Sequence, residues 1–192
     1  MSSRFDHSPA AETVARARDG DRAAQGELFA CYGQAVYGLA RRILVRPDLA
    51  DDVLQDTFVE VLRALPGFRG EAPLGMWIRR IALNKCLMLL RSHWHRNRAP
   101  MEDEGGEAWL MDRGAPPEAA LDCERALDAL PAAARTVVWL HDVEGYTHAE
   151  IAKLMNASPS FSKSQLTRAY VRLRRWSGGA PEVEACMPAL NN

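Results

Sequence analysis

Nowhere in this sequence do apolar and polar residues alternate as they would along a half-buried strand, so the expected fold class is all-α. No apolar run approaches the roughly 20 residues of a membrane-spanning helix, which argues against membrane insertion. The opening MSSRFDHSPAAE lacks the basic-then-apolar order of a secretory signal. Cys31, Cys86, Cys123 and Cys186 include no C-x-x-C pair, so neither a zinc knuckle nor a disulfide framework is expected. A reduced, cytoplasmic location follows. Also missing are a Gly-rich phosphate loop, a Ser/His/Asp order and a paired-acid constellation. Nothing in the residues points to a catalytic group, a metal or a cofactor.

Net charge is scarce as well: 24 basic against 25 acidic residues leave −1 over 192 positions. That near-neutral total hides a strong segregation. Met76 to Arg98 carries Arg79, Arg80, Lys85, Arg91, Arg96 and Arg98 without one acid. Pro159 to Trp176 carries Lys163, Arg168, Arg172, Arg174 and Arg175, again without an acid. Between them, Glu102 to Asp128 holds nine acids against Arg113 and Arg125. Two basic helical stretches flanking an acidic spacer suit two contact surfaces on one polyanion.

The second basic stretch closes a recognisable motif over EGYTHAEIAKLMNASPSFSKSQLTRAYVRLRRW. Thr147 and Glu150 have the spacing of a capping box, and Asn156 suits the left-handed residue that ends a helix. Ser158 is placed to cap the next helix, with Pro159 at its first position. Ile151 and Leu154 give the first helix an apolar face. Leu166, Ala169, Tyr170 and Leu173 recur at helical spacing along the second. Two helices, a short turn and a basic second helix fit a DNA-binding helix-turn-helix.

Upstream, a short polar helix and turn is expected over 13–26. A long helix follows over 27–44, striped by Leu28, Tyr32, Val36, Leu39 and Ile43 and broken by Pro47. The next, over 48–65, is expected to be capped by Asp48, with Leu49, Val53, Phe58, Val61, Leu62 and Leu65 inward and Asp51, Asp52, Gln55, Asp56 and Glu60 outward. FRGEAPLG reads as a loop. A third long helix, from Trp77 to about His95, would turn Trp77, Ile78, Ile81, Leu87 and Met88 inward. Gly, Pro and acids place the domain boundary in 99–117. Helices over 118–130 and 132–143, split by Pro131, precede the motif, and 177–192 is a tail.

Three stretches, DLADDVLQDTFVEVLRAL, FRGEAPLGMWIRRIALNKCLMLLR and ALPAAARTVVWLHDVEGYTHAEIAKLM, resemble in order and spacing the bacterial sigma factors of the extracytoplasmic-function type. The resemblance implies two helical modules: domain 2 over 13–98 and domain 4 over 118–176. It implies that Asp51, Asp52, Gln55 and Asp56 dock on the clamp helices of the polymerase β′ subunit, with the β flap as a further contact. Phe68 and Asn84 then match the pocket for a base flipped from the minus-ten element, and Arg79, Arg80, Lys85 and Arg91 the adjacent phosphate contacts. In the helix-turn-helix, Ser160, Phe161, Lys163, Ser164 and Gln165 would lie nearest the base edges of the minus-thirty-five element, with Arg168 and Arg172 on phosphates. Core RNA polymerase, promoter DNA and an anti-sigma factor are the partners implied. Typical members read about G-T-V-K-S-R where this chain has Ser160-Phe161-Ser162-Lys163-Ser164-Gln165. Gln in place of Arg implies an unusual upstream element, since Gln favours adenine and Arg guanine.

Two other classes compete. A stand-alone helix-turn-helix regulator would bind duplex DNA by itself, but needs a dimer interface or sensor domain. The His141-Asp142 doublet is also found in metal-dependent HD phosphohydrolases. These need a further upstream histidine, which His93 or His95 would have to supply, and a downstream aspartate; no Asp follows Asp142.

Overall fold

A computed structural model describes residues 5–96 and 125–176, and every regular element among them is helical. The chain divides into two compact units, 1–90 and 91–192. The expected linker, 99–117, lies outside the described residues, as do 118–124 and the tail.

In the first unit, α1 (Ala11–Arg18) is tied to α2 (Arg22–Leu44) by polar contacts. Arg16 donates to Glu27 at 2.9 Å and the Thr13 hydroxyl donates to the same carboxylate at 3.0 Å. Helix α2 begins five residues before the expected Glu27. The reason is Asp21, whose carboxylate accepts from the amides of Ala23 at 2.8 Å and Ala24 at 3.4 Å. Its predicted stripe, Leu28, Tyr32, Val36, Leu39 and Ile43, is buried throughout.

The break after α2 falls at Val45, whose φ is 66°. Pro47 does not make the break; it opens α3 (Pro47–Ala64) at the first helical position, where a missing N–H costs nothing. Asp48 accordingly lies inside the first turn and caps nothing. Its carboxylate pairs instead with the Arg46 guanidinium, which holds it below the usual carboxylate range. Val53, Phe58, Val61 and Leu65 are buried as expected, whereas Leu49 and Leu62 are half-buried. Phe58 meets Phe29 of α2 at a ring distance of 4.7 Å.

A 3-10 turn (Leu65–Gly67) leads to an open loop and then α4 (Leu74–Arg96). Ile78 and Leu87 are buried and Trp77 and Ile81 half-buried, but Met88, expected inward, is 49% exposed. Six residues before α1, Phe5 is buried, and the Tyr32 hydroxyl donates to the His7 carbonyl at 2.8 Å. This segment lies so close to α4 that a Cβ at Gly75 would sit 2.0 Å from the Phe5 carbonyl oxygen.

In the second unit, residues 125–128 are helical, and α5 (Ala132–Val138) starts after Pro131. The buried Arg135 satisfies the carbonyls left open before Pro131, donating from Nη1 to Leu130 at 3.0 Å and Asp128 at 3.3 Å. Helix α5 ends in a π turn (Trp139–Val143), where a single helix over 132–143 was expected. Helices α6 (His148–Met155) and α7 (Pro159–Trp176) follow, and α7 packs against both α5 and α6.

Gly75→Ala is expected to cost about 1–3 kcal/mol, because the Phe5 backbone must move. Gly26→Ala, inside α2 with nothing within 4 Å of the new Cβ, should instead stabilise by about 0.5–1 kcal/mol. Urea unfolding of the full chain measures both; a neutral Gly75→Ala would show that the Phe5 segment does not sit where described.

Candidate nucleic-acid interface

Helix α7 owes its orientation to its buried side. Ser162, Gln165, Leu166, Ala169, Tyr170 and Leu173 follow helical spacing and are all buried. Packing that stripe turns Ser160, Lys163, Thr167, Arg168, Val171 and Arg172 outward, with Phe161 and Ser164 half-exposed. No acid lies on the outward side. The turn before α7 has the expected geometry. Glu150 accepts from the Thr147 amide at 2.8 Å while Thr147 Oγ1 accepts from the Glu150 amide at 3.3 Å. That reciprocal bond holds the Glu150 carboxyl below its ordinary range. Asn156 takes φ 54° and ψ 48°, and Ser158 Oγ accepts from the Phe161 amide at 3.1 Å.

Gln165, expected near the base edges, instead lies buried on the packed side of α7, 7% exposed and in line with Leu166 and Ala169. Three residues from Ser162 and four from Ala169, it belongs to the buried stripe by helical geometry alone. Thr167 takes an outward position that the sequence reading passed over. Its hydroxyl donates to the Lys163 carbonyl at 3.0 Å.

Along α4, Arg80, Asn84, Met88 and Arg91 recur at spacings of four, four and three on one face. Arg80 and Asn84 are exposed and Arg91 half-exposed. Arg79 and Lys85 flank that face on opposite sides, about 100° and 140° away, and both are half-buried. Arg79 Nη1 contacts Met76 Sδ at 3.5 Å. Phe68 is half-buried against Trp77, with rings 4.9 Å apart and tilted by 38°. The loop that follows is anchored at both ends. The Phe68 amide donates to Leu65 at 3.0 Å and the Trp77 amide to Pro73 at 3.1 Å, while 69–73 stay exposed between them. On α3, Asp51, Asp52, Gln55 and Asp56 are all exposed. They share their side of the helix with Val59, 67% exposed, which a purely charged reading of the face missed.

The His141-Asp142 doublet is committed to packing. The Tyr170 hydroxyl donates to the Asp142 carboxylate, at 2.9 and 2.8 Å from its two oxygens, and His141 Nδ1 lies 2.7 Å from Asp142 Oδ1. Burial, and then the bond to Asp142, push the Tyr170 hydroxyl above its ordinary range. Among the described residues no three His, Cys, Asp or Glu side chains group so as to hold a metal. His93 and His95 fall where side chains are not described. Cys86 is fully buried, its thiol pushed up to about 12 by burial, and Cys31 is half-buried, its thiol also raised.

Two helical units, one ending in a helix-turn-helix with an acid-free outward face, define a DNA-binding protein of the helix-turn-helix class. Comparison with known proteins narrows the class. Sigma-70 region 2 matches residues 28–96 and Sigma-70, region 4 matches residues 121–173. The ECF RNA polymerase sigma factor SigM of Mycobacterium tuberculosis is 36% identical over 168 residues, covering 88% of this chain and 84% of that protein. The ECF RNA polymerase sigma-E factor of Haemophilus influenzae is 30% identical over 170 residues, covering 81% and 88%. The solved sigma factor RpoE of Bartonella quintana, in complex with the anti-sigma factor NepR, shares the fold. Its TM-score is 0.52 at 19% identity, over 81% of this chain and 97% of that one. The chain belongs to the extracytoplasmic-function sigma factors of the sigma-70 family. Neither a stand-alone regulator nor an HD phosphohydrolase accounts for both regions in this order.

The burial of Gln165 sets an expected outcome for selection of binding sites from random duplex DNA. Ser164→Ala and Lys163→Ala should change the selected sequence, whereas Gln165→Ala should weaken binding without changing it. A new base preference from Gln165→Ala would place that side chain in the groove.

Proposed function

We propose that this sigma factor docks on core RNA polymerase through Asp51, Asp52, Gln55 and Asp56, with Val59 as an apolar anchor among them. What carries this reading is the partition of exposed charge: acids on the outward side of α3, and acid-free basic faces on α4 and α7. Carboxylates projecting from one helix suit a basic partner helix such as a clamp helix of the β′ subunit. The second unit contacts the β flap in the same assembly. Holding no catalytic group of its own, the chain acts in the cytoplasm by placing the polymerase on promoters.

On DNA the two modules have separate tasks. The outward face of α7 enters the major groove at the minus-thirty-five element, with Ser160, Phe161, Lys163 and Ser164 toward base edges and Arg168 and Arg172 toward phosphates. At the minus-ten element Arg80 and Arg91 hold backbone phosphates, with Arg79 and Lys85 at the margins. Asn84 offers an amide to the edge of an unstacked base, and Phe68, backed by Trp77, offers the free side of its ring for stacking. Such phosphate contacts make promoter engagement fall steeply with salt. The complex of RpoE with NepR supports an anti-sigma factor as the partner that holds this chain inactive.

Two variants separate the tasks. Asp51→Lys with Asp56→Lys should weaken binding to core polymerase by roughly tenfold or more, since like charges would face each other. Asn84→Ala should leave that affinity intact and reduce promoter opening by roughly tenfold, the loss of about one hydrogen-bonding pair. Fluorescence-detected core binding and permanganate footprinting read the two. Collapse of polymerase affinity in Asn84→Ala would contradict the assignment of that side chain to DNA.

A further inference from the structure

His141 and His148 stack face to face, with ring centroids 4.7 Å apart and planes 21° from parallel. They come from different elements, the π turn after α5 and the first position of α6. Their Nδ1 atoms are bound differently. His141 Nδ1 is held by the Asp142 carboxylate at 2.7 Å. His148 Nδ1 shares a hydrogen bond of 3.0 Å with the Oγ of Ser162, a fully buried residue of α7. Two imidazolium rings at this separation repel. His148 has no carboxylate of its own.

Beside His148 opens a cavity of about 350 Å³, walled by Leu166, Tyr170 and Val171 and rimmed by Lys163, Thr167 and Arg174. Lys163 and Thr167 stand on the outward face of α7. His148 therefore lies where the first helix of a helix-turn-helix crosses the backbone while the second occupies the groove. The charged and titratable groups facing it are His141 and Asp142 from the π turn, and Lys163, Tyr170 and Arg174 from α7. Three of these are cationic or become so. Burial first, then His141 and Lys163, pull the His148 imidazole below its ordinary range, with Asp142 opposing.

We propose that His148, at the mouth of this cavity, grips a phosphate of the upstream duplex and takes up a proton as it does so. The proposal rests on the reading of α7 as the DNA-contacting helix and adds a proton-linked contact from the helix before it. A phosphate at the cavity mouth adds an anion to the one that Asp142 supplies, so the charged imidazole is stabilised more in the complex than in the free chain. The sign follows from linkage. The complex binds the proton more tightly than the free chain, so affinity rises as pH falls through the midpoint of the complex. It levels off below the midpoint of the free chain. One such proton steepens affinity by at most about tenfold per pH unit.

The test is a proton NMR titration of the five histidines in the full chain, with and without a short duplex of arbitrary sequence at low salt. Phosphate contacts do not need the promoter sequence. Resonances are assigned through His→Gln variants, and circular dichroism at each pH confirms that the chain stays folded. The expected result is a His148 midpoint below that of an unperturbed imidazole in the free chain, moving up by a unit or so when duplex is added. Affinity measured from pH 8 to pH 6 should steepen toward low pH in the natural chain and less so in His148→Gln. Duplex binding with an unmoved His148 midpoint, or an equal pH slope in His148→Gln, overturns the proposal. Weak, sequence-independent binding at low salt is all the titration needs without the polymerase; if even that is absent at every pH, the reading of α7 falls along with the proposal.

Discussion

Tyr170 donating to Asp142 is the contact on which the DNA-facing half of the molecule depends. It links the middle of α7 to the π turn at the end of α5, and both side chains are largely buried. A hydrogen bond to an ionised carboxylate inside a packed interface is strong and directional, and leaving the carboxylate unpaired would cost more than a lost neutral bond. Once Tyr170 is fixed, the rotation of α7 about its axis is fixed too. Ser162, Gln165, Leu166, Ala169 and Leu173 must face inward, and Lys163, Thr167, Arg168 and Arg172 must face the solvent. The recognition surface is therefore decided from behind, by packing, before any base is met.

The first unit applies the same logic to three helices. The apolar stripe of α2 buries one side of α3, which leaves Asp51, Asp52, Gln55 and Asp56 outward in a group. Burial of Ile78, Ala82, Cys86 and Leu90 in α4 leaves Arg80, Asn84 and Arg91 on another side. Neither face contributes much to folding, since exposed charges are screened and individually weak. On the function proposed above, their worth lies in association, where opposite potentials on two partners steer encounter and reject wrong ones. An adaptor needs this separation: surfaces for protein and for nucleic acid that do not compete for the same side chains.

Much of this was legible because local chemistry and tertiary packing agree. The Thr147–Glu150 box, the left-handed Asn156 and the Ser158 cap were readable since each bond spans only three or four residues. The all-α class and the α2 stripe followed from spacing alone. Failures came where two local signals competed. Pro47 serves equally as a helix breaker and a helix opener, and once Val45 took the turn, Asp48 moved from cap to first turn. Asp21 was passed over as a cap, which hid the first five residues of α2. Met88 looked inward by hydrophobicity yet lies on the Arg80–Asn84 face. Gln165 looked like a base reader by chemistry and by comparison with related sequences. Counting from Ser162 and Ala169 would have placed it on the inner side, but a polar residue there gave no apolar signal to count.

At the centre of this account is an adaptor that confers promoter choice on an enzyme it does not itself resemble. Run-off transcription with purified core polymerase on a library of promoter fragments tests that most directly. The account predicts that core polymerase alone initiates at none of them specifically, and that adding this chain yields discrete transcripts from a subset sharing two separated elements. A chain that binds core polymerase yet directs no discrete initiation, or that shifts those duplexes just as tightly without the polymerase, would contradict it.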